Sequence, residues 1–136
     1  MPQSTHLQTI PVGPLGLIVM DSCSSLGKKV NDYLVTWRRE RENEHKAPRF
    51  GSGEGKGVIN ESVRGDDLYI MVDVCNYSLT YSLSGYVNHM SPDDHFQDLK
   101  RIIAAVGGKA RRINVIMPFL YESRQHKRTA RESLDC

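Results

Sequence analysis

The feature that most constrains this chain is a capped amphipathic helix held between two apolar strands. Ser91 is an N-cap residue, Pro92 takes the first helical position, and Asp93 and Asp94 place negative charge where the positive end of the helix dipole favours it. Phe96, Leu99, Ile102, Ile103 and Val106 follow at helical spacing, and Gly107-Gly108 end the run. Leu68 to Val74 before it and Ile113 to Met117 after it read as strands covered on both faces, because they lack the alternation of a half-exposed strand. Two such strands joined by a helix form a βαβ unit, expected to be parallel and right-handed.

A second strand and helix precede this unit. Leu15 to Met20 is an apolar strand, and Asp21, Ser22, Ser24 and Ser25 offer N-caps for a helix whose stripe is Leu26, Val30, Tyr33, Leu34 and Trp37. The expected fold class is therefore α/β, a mostly parallel sheet flanked by helices, over residues 15–136 as a single domain. Residues 1–14 carry three prolines and read as a flexible lead-in. Arg38 to Lys46 either extends the first helix or forms a solvated loop before Pro48. Phe50 to Gly57 is a glycine-rich loop that suits a lid, a base-stacking element or a simple hairpin turn. Val58 to Val63 reads as a short strand, and Cys75 to Met90 fits either an irregular loop or an added hairpin.

Composition narrows the function classes. A chain that is 39% hydrophobic and 25% charged suits an ordinary globular domain, and a net charge of +2 gives no general attraction for nucleic acid. Three cysteines without CxxC spacing argue against structural zinc and for a reducing, cytoplasmic setting. The longest apolar run is far below the roughly 20 residues of a membrane span. The five histidines have no ligand spacing and read as surface residues, and neither a Walker A loop nor a GxGxxG fingerprint is present. No serine, cysteine or lysine nucleophile is identifiable.

What remains is a local basic segment after Met117. Arg124, Lys127, Arg128 and Arg131 fall at i, i+3, i+4 and i+7, so a helix there would stack four cations on one face. In open α/β sheets, ligands collect at the carboxyl ends of the strands, and both this segment and the Cys75 to Met90 loop belong at that end. Arg124 and Gln125 stand out, since a guanidinium clamps phosphate or stacks on a base and a carboxamide both donates to and accepts from a base edge.

Several separated stretches together resemble the N-terminal half of ribose-phosphate pyrophosphokinases, the phosphoribosyl pyrophosphate synthetases. Phe50-Gly51-Ser52-Gly53-Glu54 is similar to that family's phenylalanine-x-asparagine-glycine-glutamate loop, and Ile59 to Gly65 matches its INESVRG segment. Ser91 to Val106 is similar to its helix entered through an asparagine-aspartate pair, and Ile113 to Gln125 to its strand leading into an arginine-glutamine pair. The resemblance implies a type I phosphoribosyltransferase-like N-terminal domain of a longer two-domain enzyme. That enzyme passes the β,γ-pyrophosphoryl group of Mg-ATP to ribose 5-phosphate, giving phosphoribosyl pyrophosphate and AMP. Carried over by position, Phe50, Ser52, Glu54, Arg124 and Gln125 would bind ATP, and Ser62 and Arg64 would lie in a regulatory phosphate site. The Phe50 loop of the family reaches a neighbouring subunit, so a homo-oligomer is implied. No catalytic residue is expected within these 136 residues, and the ligands of Mg2+ are expected in the C-terminal half.

The chain also departs from the pattern. Ser52 stands where the family usually has asparagine, Glu122 where it has tyrosine, and His126 where it has aspartate, and there is an insertion around Tyr77 to Met90. Two other readings follow: a non-catalytic regulatory homologue that assembles with active synthetase subunits, and a phosphate- or RNA-binding module resting on the Arg124 to Arg131 segment.

Overall fold

The computed structural model describes residues 12–38, 45–46, 52, 54–125 and 127–133. Its centre is a three-stranded parallel sheet of β1 (Leu15–Val19), β4 (Asp67–Met71) and β7 (Arg112–Ile116), in the order β1-β4-β7. Register is continuous from Leu15↔Asp67 to Val19↔Met71, and from Asp67↔Arg112 to Met71↔Ile116. The remaining strands form two small antiparallel pairs: β2 (His45–Lys46) with β3 (Val58–Ile59), and β5 (Thr80–Leu83) with β6 (Tyr86–His89).

Two helices, α1 (Ser24–Arg38) and α2 (Pro92–Val106), cover opposite faces of the sheet. Alternation along the strands sorts the side chains between them. Ile18, Leu68, Ile70 and Val72 point to the α2 side and bury Leu99, Ile102 and Val106. Leu17, Val19 and Met71 point the other way, against Cys23, Val30 and Leu34 at the α1 side. Burial raises the Cys23 thiol above its ordinary pKa, with the Asp73 carboxylate adding to the rise. Helices on both faces of the sheet are why Leu68, Ile70 and Met71 of β4 are all buried.

Local signals around α2 act as expected. The Ser91 hydroxyl accepts from the Asp94 N–H at 3.2 Å while Asp94 Oδ2 accepts from the Ser91 N–H at 2.9 Å, a closed capping box. Gly107 ends the helix in the left-handed region at φ 57°. The α1 start differs from the simple N-cap expected. A 3-10 turn at Asp21–Cys23 leads in, and Ser22 instead turns to the end of β4, its Oγ accepting from Asp73 N at 3.1 Å and its carbonyl from Asn76 Nδ2 at 2.9 Å.

Other expectations need correction. The strand after α2 is not buried on both faces: among the described residues β7 lies at one edge of the sheet, and Val115 and Ile116 are 41% and 40% exposed. Its apolar sequence reflects contact of Ile113 and Met117 with the α2-side core, while α1 packs over β1 and β4. The middle strand begins one residue earlier than expected and ends at Met71, although Val72 still donates to the Ile116 carbonyl at 3.0 Å. The Val58 to Val63 strand shrinks to Val58–Ile59. Cys75 to Met90 resolves as the β5–β6 hairpin, closed by Ser84 and Gly85 at φ 51° and 84°, the positive pair that matches strand twist in a two-residue turn.

The basic segment is not a helix. Residues 121–124 form turns and the described residues from 127 to 131 are irregular, so the four-cation stripe does not form. Among the described residues, no helix is long and apolar enough to cross a membrane.

Candidate functional site

At the carboxyl end of the parallel sheet lies an open cavity of about 320 Å³. Three elements build it. The extension of β4 contributes Val74 and Cys75, the start of α2 contributes Pro92, and the turn after β7 contributes Phe119 and the stretch from Tyr121 to Gln125. The β4–α2–β7 crossover puts them together, since both strands end where α2 begins.

One wall is fixed by Tyr121. Its ring stacks on Phe96 with centroids 4.2 Å apart and planes 24° from parallel, and Lys100 Nζ lies 5.2 Å from the Phe96 centroid on the cation–π scale. The Tyr121 hydroxyl donates to Asp93 Oδ1 in the first turn of α2, and its N–H reaches Met117 Sδ at 3.2 Å. The Asp93 carboxylate, with burial and the nearby Glu122 carboxylate adding to it, raises the Tyr121 hydroxyl well above its ordinary pKa. Asp93 thus serves the dipole and the pocket wall together.

The turn that follows carries the polar groups. Glu122 adopts a left-handed backbone at φ 59°, uncommon for a residue with a side chain. Its carbonyl accepts from the Gln125 N–H at 2.8 Å, closing a tight turn that brings both Arg124 and Gln125 to the cavity. Arg124 is exposed and Gln125 half-buried. Apolar walls beside a guanidinium, a carboxamide and a helix N-terminus suit a flat ring with an anionic tail.

The other anticipated residues lie elsewhere. Ser52 donates to Glu54 Oε2 at 3.1 Å, and the loop then runs along the middle of α2: a β-carbon on Gly55 would stand 2.7 Å from an Arg101 guanidinium nitrogen, and one on Gly57 would stand 2.6 Å from the Arg101 carbonyl oxygen. Arg101 is nine residues beyond Pro92, about 13 Å along the axis. Neither Ser52 nor Glu54 lines the cavity. Phe50 and His126 lie outside the described residues. Ser62 and Arg64 are exposed at the amino end of β4, where the Arg64 N–H meets Ser62 Oγ at 3.4 Å and the Gly65 N–H reaches the Lys109 carbonyl at 3.0 Å. That is the opposite end of the sheet from the cavity.

Sequence reading missed Tyr121 and Pro92 as lining residues, although the helix-start motif already fixed where Pro92 would sit. It also took every histidine for a surface residue. His95 is 2% exposed, its Nε2 paired with the Asn76 carbonyl at 2.8 Å, which ties α2 to the end of β4. Asp98 is buried beside it and accepts from Arg101 at 2.6 Å. Among the described residues, no group of three or more histidine, cysteine or acidic side chains is arranged to hold a metal ion.

Comparison with known proteins supplies the wider frame. No curated protein sequence matches this chain. A crystal structure of phosphoribosylpyrophosphate synthetase from Mycobacterium smegmatis shares the fold, with a TM-score of 0.65 at 24% identity, over 89% of this chain and 35% of that one. The chain thus spans about a third of the length of that solved relative. The profile described as the N-terminal domain of ribose phosphate pyrophosphokinase matches residues 15–136. The chain belongs to that family of N-terminal domains.

Proposed function

We propose that residues 15–136 are the N-terminal domain of a longer two-domain enzyme that transfers pyrophosphate from Mg-ATP to ribose 5-phosphate in the cytoplasm, and that this domain supplies part of the ATP site. The observation that carries the reading is the convergence of Arg124 and Gln125 on an apolar-walled cavity at the carboxyl ends of β4 and β7, beside the N-terminus of α2. Arg124 would neutralise phosphate charge and Gln125 would read the base edge. Such transfer is mostly a matter of positioning and charge stabilisation.

Ser52 and Glu54 do not line this cavity, and Gly55 and Gly57 pack against Arg101 in the middle of α2, which fits a loop that completes a neighbouring subunit's site in a homo-oligomer, with Phe50 proposed for the same role. Ser62 and Arg64, at the far end of the sheet, would bind a regulatory phosphate apart from the substrate. Mg2+ would neutralise the phosphates of ATP, with its protein ligands proposed to lie in the second half of the enzyme.

Nucleotide binding tests the site. Calorimetric titration with ATP should give saturable binding, and Arg124→Ala and Phe50→Ala should each weaken it at least tenfold. Mixing the two variants should restore tight binding to a fraction of sites, since some sites in a mixed oligomer regain both residues. Failure of Arg124→Ala to alter binding overturns the assignment. The domain alone is expected not to form AMP from ATP and ribose 5-phosphate; measurable turnover would show that catalysis resides here.

One observation favours the regulatory homologue as a second reading. Glu122 brings a carboxylate to the cavity beside Arg124, which lowers the local positive charge available to phosphate.

A further inference from the structure

The buried imidazole of His95 joins two walls of the cavity without lining it. His95 stands at the end of the first turn of α2, and its Nε2 lies 2.8 Å from the Asn76 carbonyl oxygen. A carbonyl only accepts, so Nε2 carries the proton and donates it. His95 follows Pro92 by three residues, and Asn76 follows Cys75 directly. Pro92 and Cys75 both line the cavity, whereas His95 and Asn76 do not.

Asn76 gathers the other ties at this end of the sheet. Its Nδ2 donates to the Ser22 carbonyl at 2.9 Å, and its Oδ1 accepts from the Ser78 N–H at 3.0 Å and the Ser78 hydroxyl at 2.6 Å. Just before it, the Cys75 N–H donates to Asp73 Oδ1 at 2.9 Å. The Asn76 side chain thus serves the lead-in to α1 and its own turn, and its carbonyl ties the segment to α2. Packing alone would be met by an apolar residue at position 95, since Leu99, Ile102 and Val106 further along α2 are apolar and buried. A buried ring with polar nitrogens costs desolvation that an aliphatic side chain avoids. What the imidazole adds is direction: one bond sets where residues 74–76 stand relative to the start of α2.

We infer that His95 is a positioning residue for the cavity, holding the Val74–Cys75 wall in place against Pro92 and the N-terminus of α2 through the Asn76 carbonyl. The inference rests on the nucleotide reading proposed above and adds to it a residue outside the cavity. A wall ordered before the ligand arrives loses less freedom on binding, so the bond favours affinity without touching the nucleotide. The net contribution of one hydrogen bond limits the effect to roughly three- to tenfold.

Calorimetric titration of the full chain with ATP tests it with His95→Gln and His95→Leu. The glutamine carboxamide nitrogen reaches about as far from the backbone as Nε2 and donates as it does, whereas leucine fills the space and donates nothing. His95→Gln should bind ATP as wild type does, and His95→Leu roughly three- to tenfold more weakly. Equal affinity in wild type and His95→Leu overturns the inference, and so does equal weakening in both variants, which would assign the effect to the shape of the ring. The thermal midpoint of His95→Leu should be no lower than that of His95→Gln, because leucine suits the apolar face and the half-buried Asn76 can turn its carbonyl to water. Weaker binding accompanied by a lower midpoint overturns the positioning role. Hydrogen exchange needs no ATP: the amides of Cys75, Asn76 and Ser78 should exchange faster in His95→Leu than in wild type or His95→Gln, and identical exchange overturns it. On wild type itself, the His95 Nε2 proton should give a slowly exchanging imidazole resonance that shifts on adding ATP, and an unmoved resonance at saturation overturns it. If wild type binds no ATP, the nucleotide reading fails, and exchange at Cys75 and Asn76 alone decides whether His95 holds the wall.

Discussion

The Tyr121 hydroxyl donates to the Asp93 carboxylate, joining the turn after β7 to the first turn of α2 across the mouth of the cavity. Removing that hydroxyl alone separates the bond from the Phe96 stack. Tyr121→Phe should keep the stack, lower the thermal midpoint by a few degrees and loosen the turn that carries Arg124. Because the hydroxyl is held in its protonated form, its contribution is complete below pH 10 and fades only as pH rises through the higher folded value. Ultraviolet titration should therefore show one tyrosine fewer ionising near pH 10 in the wild type than the sequence contains.

Acid stability should depend on Asp67. Arg112 grips it with two bonds, Nε to Oδ1 at 2.7 Å and a terminal nitrogen to Oδ2 at 2.6 Å, and Asn114 adds a third at 2.9 Å. The guanidinium fork, helped by Asn114, holds this carboxyl below its ordinary range. The folded chain thus keeps the charge where the unfolded chain takes up a proton. Its contribution is complete above about pH 4 and is lost as pH falls through the lower folded value. Urea midpoints between pH 7 and pH 3 should fall less steeply in Asp67→Asn, from a lower starting value.

The capping box at Ser91 gives a third test. Ser91→Ala removes the hydroxyl that accepts from the Asp94 N–H and donates to Asp94 Oδ2, while the Ser91 N–H still donates to that carboxylate, so urea unfolding should show a loss of about 1 kcal/mol. Ser91→Gly should cost only a few tenths of that scale, about 0.3 kcal/mol, because glycine is tolerated at an N-cap.

Gly27 reverses the usual helix rule. Alanine in place of a helical glycine normally stabilises by about 1 kcal/mol. Here a β-carbon would stand 2.0 Å from Val19 Cγ1 and 2.8 Å from Val19 Cβ, and the branched side chain has no flexible end to swing away. Gly27→Ala should therefore destabilise by roughly 1–3 kcal/mol. In a double-mutant cycle with Val19→Ala, the pair should cost less than the sum of the two single changes.

The fold was legible where local chemistry dictates it. Ser91, Pro92 and Gly107 announce a helix in any setting, and β1 and β4 carry apolar runs too short for anything but covered strands. The edge position of β7 was not legible, because an apolar run reports contact with a core and not the order of strands beside it. The same limit explains His95. Nothing near it in sequence shows that the Asn76 carbonyl will meet its ring. Arg124 and Gln125 were placed at the correct end of the sheet by the strand-end rule, whereas their presentation depends on a turn with Glu122 at positive φ, which few sequence signals would foretell. The expected cation helix failed for the same reason: spacing proposes a stripe, but turns take the chain away before it can form.

The register of the central sheet also sets a timetable. Leu15 pairs with Asp67, 52 residues later, and Asp67 pairs with Arg112, a further 45 residues on. At a synthesis rate of about 5–20 residues per second, β1 emerges roughly 3–10 s before β4 can meet it. During that interval its apolar stretch is a bare strand with nothing of its own to pair with, so early exposure of Leu15 to Met20 is the moment at which this chain is most open to chaperones or to misassembly.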